Sequence, residues 1–335
     1  MTNAAPPTPR TATPRRVLAP TPREIAIAAA GIARRLPATP VVPCPALGPG
    51  AMLKLETSQP TGAFKVRGAL TALGALPPGS AVVTASAGNH ALGVAYASEA
   101  LGVPAAVVLP ETASPAKLAE LARRPVRLVR HGATYDAAER HAMARAREEG
   151  ATFVSAYNDR SVIAGQASIA VELLGQVPRR PLTIVCPIGG GGLVSGVALW
   201  AAHAGGGAVR VVGVEGAGAP AMRAALDAGR RVDVPVRPTV ADGLGGNLEE
   251  GSVTIDVVRR LVDDVVVVEE EEITAAIRLL AERHGLVVEG AGAAAAAAVL
   301  AGRVPYEGAI VALVTGRNIS LDVLSRVLGR ARRAA

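Results

Sequence analysis

Short apolar runs rich in valine and isoleucine alternate with alanine-rich stretches of helical length along most of the chain. A β-branched run of roughly 4–8 residues suits a buried strand, and the longer stretch after it suits a covering helix. Strands are therefore expected over 81–86, 105–110, 126–130, 182–188, 209–215, 264–268 and 310–315. This alternation predicts the α/β class, with parallel sheets flanked by helices. The run 293–298 is apolar on every side and predicts a buried helix. Gly150 and the segment 178–181 interrupt the pattern and are the best candidate boundaries. No repeat of solenoid length is evident. Residues 1–20 are rich in Pro and Thr and lack the apolar core of a signal peptide, so they read as a disordered tail.

Composition narrows the function. Half of the 335 residues are hydrophobic, enough for one large domain or two smaller ones. Cys44 and Cys186 stand far apart in apolar stretches, which predicts neither a disulfide framework nor a thiolate metal site and fits a reducing, cytoplasmic setting. No stretch reads as a membrane span. The formal charge of +7 invites a nucleic-acid partner, but the arginines are scattered and aromatic residues make up only 2%. Without a stacking platform or zinc-finger spacing, no nucleic-acid partner is expected. Among 35 basic residues the only lysines are Lys54, Lys65 and Lys117, so each draws attention.

Three segments carry candidate chemistry. Pro187-Ile-Gly-Gly-Gly-Gly-Leu-Val-Ser-Gly196 follows an expected strand and opens an expected helix. Glycines let the backbone turn several N–H groups toward one anion, and the helix start adds partial positive charge, so Gly189, Gly190, Gly191, Gly192 and Leu193 suit a phosphate. A plain glycine turn is the simpler reading. A dinucleotide fingerprint fails, because Val194 or Ser195 falls at the last glycine position in each register, and a P-loop lacks its Gly-Lys-Ser/Thr. Ser86-Ala-Gly-Asn-His90 also lies between strand and helix, where it serves equally as an ordinary cap or as a carboxylate-binding loop. His90 by itself is more simply structural. Finally, Gly62-Ala-Phe-Lys-Val-Arg-Gly68 sets Lys65 beside Phe64 near a helix start, and a desolvated lysine there has a lowered pKa and can form a Schiff base. The alternative is a solvated surface lysine.

Taken together, these segments resemble the fold-type II pyridoxal-phosphate (PLP) enzymes, the tryptophan synthase β-like group. The likeness is closest to the threonine/serine dehydratases and serine racemases and runs from about Pro37 to Asn318. GAFKVRGA keeps that family's Ser-Phe-Lys-x-Arg-Gly-Ala motif except for Ala63, and residues 85–91 keep its Ala-Ser-Ala-Gly-Asn-His-Ala unchanged. The resemblance implies PLP as cofactor, with Lys65 as the Schiff-base lysine beside Phe64. It also implies Asn89 on the cofactor's 3′ oxygen, Gly189 to Leu193 on its phosphate, Gly243 of the Ala-Asp-Gly stretch along its ring, and Thr315 at its pyridine nitrogen. Ser86, Ala87, Gly88, Asn89 and His90 would hold the substrate carboxylate.

The implied architecture is a small domain over 56–154 and a large PLP-binding domain from 21–55 plus 155–335. The implied activity is α,β-elimination of water from a β-hydroxy amino acid such as threonine or serine, giving an α-oxoacid and ammonia, in a cytoplasmic homodimer. Three departures bear on the pocket: Arg317 replaces a glycine, Leu92 a glutamine and Gly290 a proline. Racemisation is the runner-up, since serine racemases carry a proton-transferring serine where this chain has Ala87. The divalent cation site of those racemases would need Glu215, a carbonyl at Ala219 and an aspartate where Ala221 stands, so no metal is expected. A non-catalytic PLP-binding protein is the other alternative. An effector-binding domain of the biosynthetic threonine dehydratase type is not expected.

Overall fold

The computed structural model describes residues 15–113 and 115–329. Of the expected tail, residues 1–14 lie outside the described residues, whereas Arg15 is anchored. Its guanidinium donates to the Asn158 carbonyl at 2.8 Å and lies 5.1 Å from the centre of the Phe153 ring.

The described strands are β1 (Val41–Pro43), β2 (Ala51–Leu55), β3 (Val82–Ala85), β4 (Ala105–Leu109), β5 (Arg127–Arg130), β6 (Thr152–Phe153), β7 (Leu182–Pro187), β8 (Val209–Gly216), β9 (Asp264–Val268) and β10 (Ala309–Val314). They form a six-stranded sheet in the order β1-β2-β10-β7-β8-β9 and a four-stranded sheet in the order β5-β4-β3-β6. All neighbours run parallel except the edge strand β1, which is antiparallel to β2. The seven strands expected from the apolar runs are present, while β1, β2 and β6 lie outside that expectation. Central strands β7 and β10 are buried at every position, as a sheet covered by helices on both faces requires.

Small residues bring backbones close where the site will form. The helix Gly290–Leu300 is buried from Gly290 to Val299. A Cβ on Gly292 would fall 2.4 Å from the Gly316 carbonyl oxygen, and one on Gly290 would fall 2.2 Å from that of Val240. This helix therefore presses directly against the C-terminal end of β10. In the same way, a Cβ on Gly93 of the helix Asn89–Leu101 would lie 3.0 Å from the Lys65 carbonyl, so that helix packs on the first turn of the helix Lys65–Gly74.

A buried charge network fixes that first turn. Arg67 donates to both carboxylate oxygens of Glu56, at 2.7 and 2.9 Å, and to Glu172 at 2.6 Å, while Lys54 of β2 donates to Glu172 at 2.7 Å. Arg67, Lys54 and Glu56 are completely buried. Burial opposes the Arg67 charge, but Glu56 and Glu172 outweigh it and raise the guanidinium's pKa. Two cations facing two carboxylates leave the cluster neutral, the condition under which buried charges are tolerated. Among the described residues no helix is long and apolar enough to cross a membrane.

Candidate active site

After β7 the chain passes through Gly189 to Gly191 into the helix Gly192–Ala204. Gly191 has φ +87°, in the left-handed region that side-chain-bearing residues rarely adopt. Tyr157 backs the loop: a Cβ on Gly190 would lie 2.1 Å from its ring, and one on Gly192 would lie 2.9 Å from its Cα. The Tyr157 hydroxyl accepts from the Glu249 amide at 2.6 Å, and the Thr254 hydroxyl donates to the Gly190 carbonyl at 2.8 Å. Among the described residues, the amides of Gly190, Gly191, Gly192 and Leu193 have no acceptor. Four such donors at a helix start form an anion cradle. Gly243 flanks it, with its carbonyl oxygen 3.3 Å from where a Gly189 Cβ would stand.

Lys65 is the first residue of its helix. The Phe64 amide donates to the Thr315 carbonyl at 3.0 Å and Ala63 bridges Gly316, which ties Lys65 to the end of β10. Its ammonium donates to the Ala156 carbonyl at 2.9 Å and sits 5.2 Å from the centre of the Phe64 ring. Ala156 immediately precedes Tyr157, so one short segment carries both the lysine's acceptor and the backing of the glycine loop. Burial lowers the Lys65 pKa to about 8, against the opposing pull of the Glu289 charge. An amine held there is partly neutral at physiological pH and ready to attack a carbonyl.

The loop before the helix Asn89–Leu101 divides its work. Ser86 Oγ accepts the Gly88 amide at 3.1 Å, as a cap would. The amides of Ala87, Asn89 and His90 have no acceptor among the described residues. Asn89 donates to Glu289 at 2.6 Å and accepts from Asn318 at 2.7 Å, which leaves one amide hydrogen for a ligand. The His90 ring turns away into the four-stranded sheet, 2.9 Å from the Thr84 hydroxyl. Burial, helped by the nearby Lys65 charge, lowers its pKa to about 3, so it stays neutral. Only the His90 backbone is therefore placed to meet a carboxylate.

Thr315 is buried at the end of β10, its hydroxyl 3.5 Å from the Ala291 carbonyl. The next residue must lack a side chain, since a Cβ on Gly316 would meet Glu289 at 2.0 Å. Glu215 is engaged elsewhere: its carboxylate accepts the Met222 and Arg223 amides at 2.8 and 2.7 Å, at the start of the helix Ala221–Ala228. Among the described residues no group of three metal-ligating side chains occurs. Sequence reasoning does not single out Tyr157, the Ala156 carbonyl or Glu289 as site residues, because nothing local marks them.

An aldehyde cofactor bearing a phosphate fits this set. It finds a lysine shifted toward neutrality, a cradle of unmatched amides packed so closely on Tyr157 that Gly190 has no room for a Cβ, and a buried hydroxyl at Thr315. Fold and site thus define a PLP enzyme. The profile of the family described as "Pyridoxal-phosphate dependent enzyme" matches residues 32–316, and the chain belongs to that family. The L-threonine ammonia-lyase of Geobacter sulfurreducens is 43% identical over 290 residues, which is 85% of this chain and 71% of that protein. Among solved structures, maize serine racemase matches with a TM-score of 0.85 at 35% identity, covering 94% of this chain and 98% of the other. The processed form of threonine deaminase isoform 2 from Solanum lycopersicum matches with a TM-score of 0.83 at 29% identity, covering 96% and 98%.

Proposed function

We propose that this chain is a PLP-dependent dehydratase, an ammonia-lyase that converts a β-hydroxy amino acid such as threonine or serine to an α-oxoacid and ammonia. The observation that carries the reading is the Lys65 amine, held at a pKa of about 8 and 2.9 Å from the carbonyl next to the residue that backs the glycine loop.

When bound, PLP supplies an aldehyde for the substrate amine and a ring that accepts the electron pair left by the departing α-proton. The chain's own groups do the rest. The amides of Gly190 to Leu193 would hold the phosphate, Asn89 would offer its free amide hydrogen to the ring oxygen, and Phe64 and Gly243 would line the ring. The amides of Ala87, Asn89 and His90 hold the substrate carboxylate, with Ser86 and Gly88 shaping that turn. Lys65 Nζ takes the α-proton as general base. Thr315 offers a hydroxyl, not a carboxylate, to the pyridine nitrogen. A hydroxyl there would not hold the nitrogen protonated as a carboxylate would, which would suit β-elimination better than transamination. The β-hydroxyl leaves as water, taking up one proton, and water then converts the resulting enamine to the oxoacid and ammonia.

Racemisation is the weaker reading, because it needs a proton-transferring group on the second face of the substrate and Ala87 has none. The proposal extends to a cytoplasmic homodimer acting on free amino acids, without nucleic-acid or membrane partners, supported by the family resemblance and the two unpaired cysteines.

Lys65→Ala tests the reading. The variant should lose both the visible absorption of bound cofactor and turnover, and a variant that kept both would overturn the role of Lys65.

A further inference from the structure

A cleft of about 140 Å³ opens beside the Asn89 loop, lined in part by Gly62, Leu92, Glu120, Arg124, Arg317 and Asn318. It adjoins the carboxylate-binding turn directly. Asn318 donates to Asn89 at 2.7 Å, and Leu92 lies three residues beyond Asn89 on the same helix.

Arg317 is built into the wall. Its amide donates to the Gly62 carbonyl at 2.9 Å. Its side chain crosses the face of Gly62, with Cγ and Nε only 3.2 and 3.3 Å from where a Cβ would be. Gly62 has φ +71° and so suits glycine in conformation as well as in space. Among the described residues the Arg317 guanidinium has no carboxylate or hydrogen-bond partner. Arg124 lines the same cleft, half-buried, and pairs with Glu120 at 3.6 Å, a carboxylate that Arg123 shares at 3.6 Å, so among the described residues the pairing is weak. Two guanidiniums and one carboxylate leave a net charge of +1 at the cleft. Leu92 adds no polar group.

We propose that Arg317, with Arg124 in the same cleft, selects amino acids whose β-carbon carries a carboxylate beside the hydroxyl, the β-hydroxyaspartate class. This rests on the dehydratase reading above and names its substrate. A planar fork of N–H groups matches a carboxylate in two-bond geometry. A threonine methyl or serine hydrogen would leave Arg317 with nothing to bind. The reaction remains balanced without oxidant or reductant. The α C–H and β C–O bonds break, a C=C bond forms, and water replaces the nitrogen, so β-hydroxyaspartate gives oxaloacetate and ammonia.

The test compares the PLP-loaded wild type with Arg317→Gly, which alters an exposed side chain and should fold normally. One readout is kcat/KM for the β-hydroxyaspartate diastereomers relative to threonine and serine. The other is calorimetric binding of succinate, which has the same two carboxylates and nothing to eliminate. The wild type should prefer β-hydroxyaspartate and bind succinate, and Arg317→Gly should lower both the preference and the succinate affinity at least roughly tenfold, the scale of one charge-assisted bond. Arg317→Lys should restore part of each, and Glu120→Gln should tighten succinate. Succinate affinity and substrate preference unchanged in Arg317→Gly would overturn the proposal, as would tighter binding of inorganic phosphate than of succinate. Wild-type turnover of threonine or serine without a dicarboxylate preference would overturn it while leaving the dehydratase reading intact. Succinate binding that depends on Arg317, with no hydroxy amino acid turned over, would support the anion pocket and defeat the dehydratase reading.

Discussion

The ring of Tyr157 lies against Gly190, so close that a Cβ on Gly190 would fall 2.1 Å from the ring's Cγ and 2.3 Å from its Cδ1. The phosphate cradle is therefore shaped from behind by an aromatic wall that is itself pinned through its hydroxyl to the Glu249 amide. Gly190→Ala should displace either the loop or the ring, and overpacking of this kind costs about 1–3 kcal/mol. Absorbance titration with PLP should show affinity reduced roughly ten- to a hundredfold, since about 1.4 kcal/mol is tenfold. An unimpaired titration would mean that the cradle lies elsewhere.

The Arg67 network predicts an asymmetry in stability. Arg67→Met removes the guanidinium facing the completely buried Glu56 and should destabilise by about 3–5 kcal/mol, as breaking a buried pair does. Lys54→Met leaves Glu172 still bound by Arg67 and should cost clearly less. Urea unfolding of the two variants would check the order, and equal losses would refute it.

The lowered pKa of Lys65 makes a signed prediction for the apoprotein. Between about 8 and the ordinary 10.5 the unfolded chain holds a proton on this lysine that the folded chain has released. Stability should therefore rise with pH across that window, and the penalty of a buried ammonium should be fully present below it. The rate of PLP uptake should likewise increase through about pH 8 as the amine becomes neutral. Stopped-flow absorbance across that range checks the rate, and a flat profile would contradict it.

Most of the sheet framework is legible because β7 and β10 are buried on both faces and so read as unbroken β-branched runs. β2 escapes because Lys54 interrupts its apolar run, and that lysine is tolerated only through Glu172, Gln176 and the Thr39 carbonyl, partners supplied by folding. β1 is a three-residue edge strand ending in proline, and β6 has two residues, too short for periodicity to register. The site divides along the same line. Anion cradles and a Schiff-base lysine are built from contiguous residues, so 62–68, 86–90 and 189–193 can be recognised locally. Glu289 reaches Asn89 across 200 positions and Tyr157 reaches Gly190 across the fold, contacts with no local signature. His90 shows the reverse: its place in the turn suggests a ligand, but its position early in a helix points the ring inward to Thr84.

The most direct test of the central claim is a coupled assay for α-oxoacid and ammonia on the PLP-loaded protein, run over L- and D-β-hydroxy amino acids that include threonine, serine and β-hydroxyaspartate. Stoichiometric oxoacid and ammonia are expected from at least one L-substrate, with the activity lost in Lys65→Ala. Inverted amino acid without oxoacid, or no turnover on the whole panel while the cofactor's visible absorption stays intact, would contradict it.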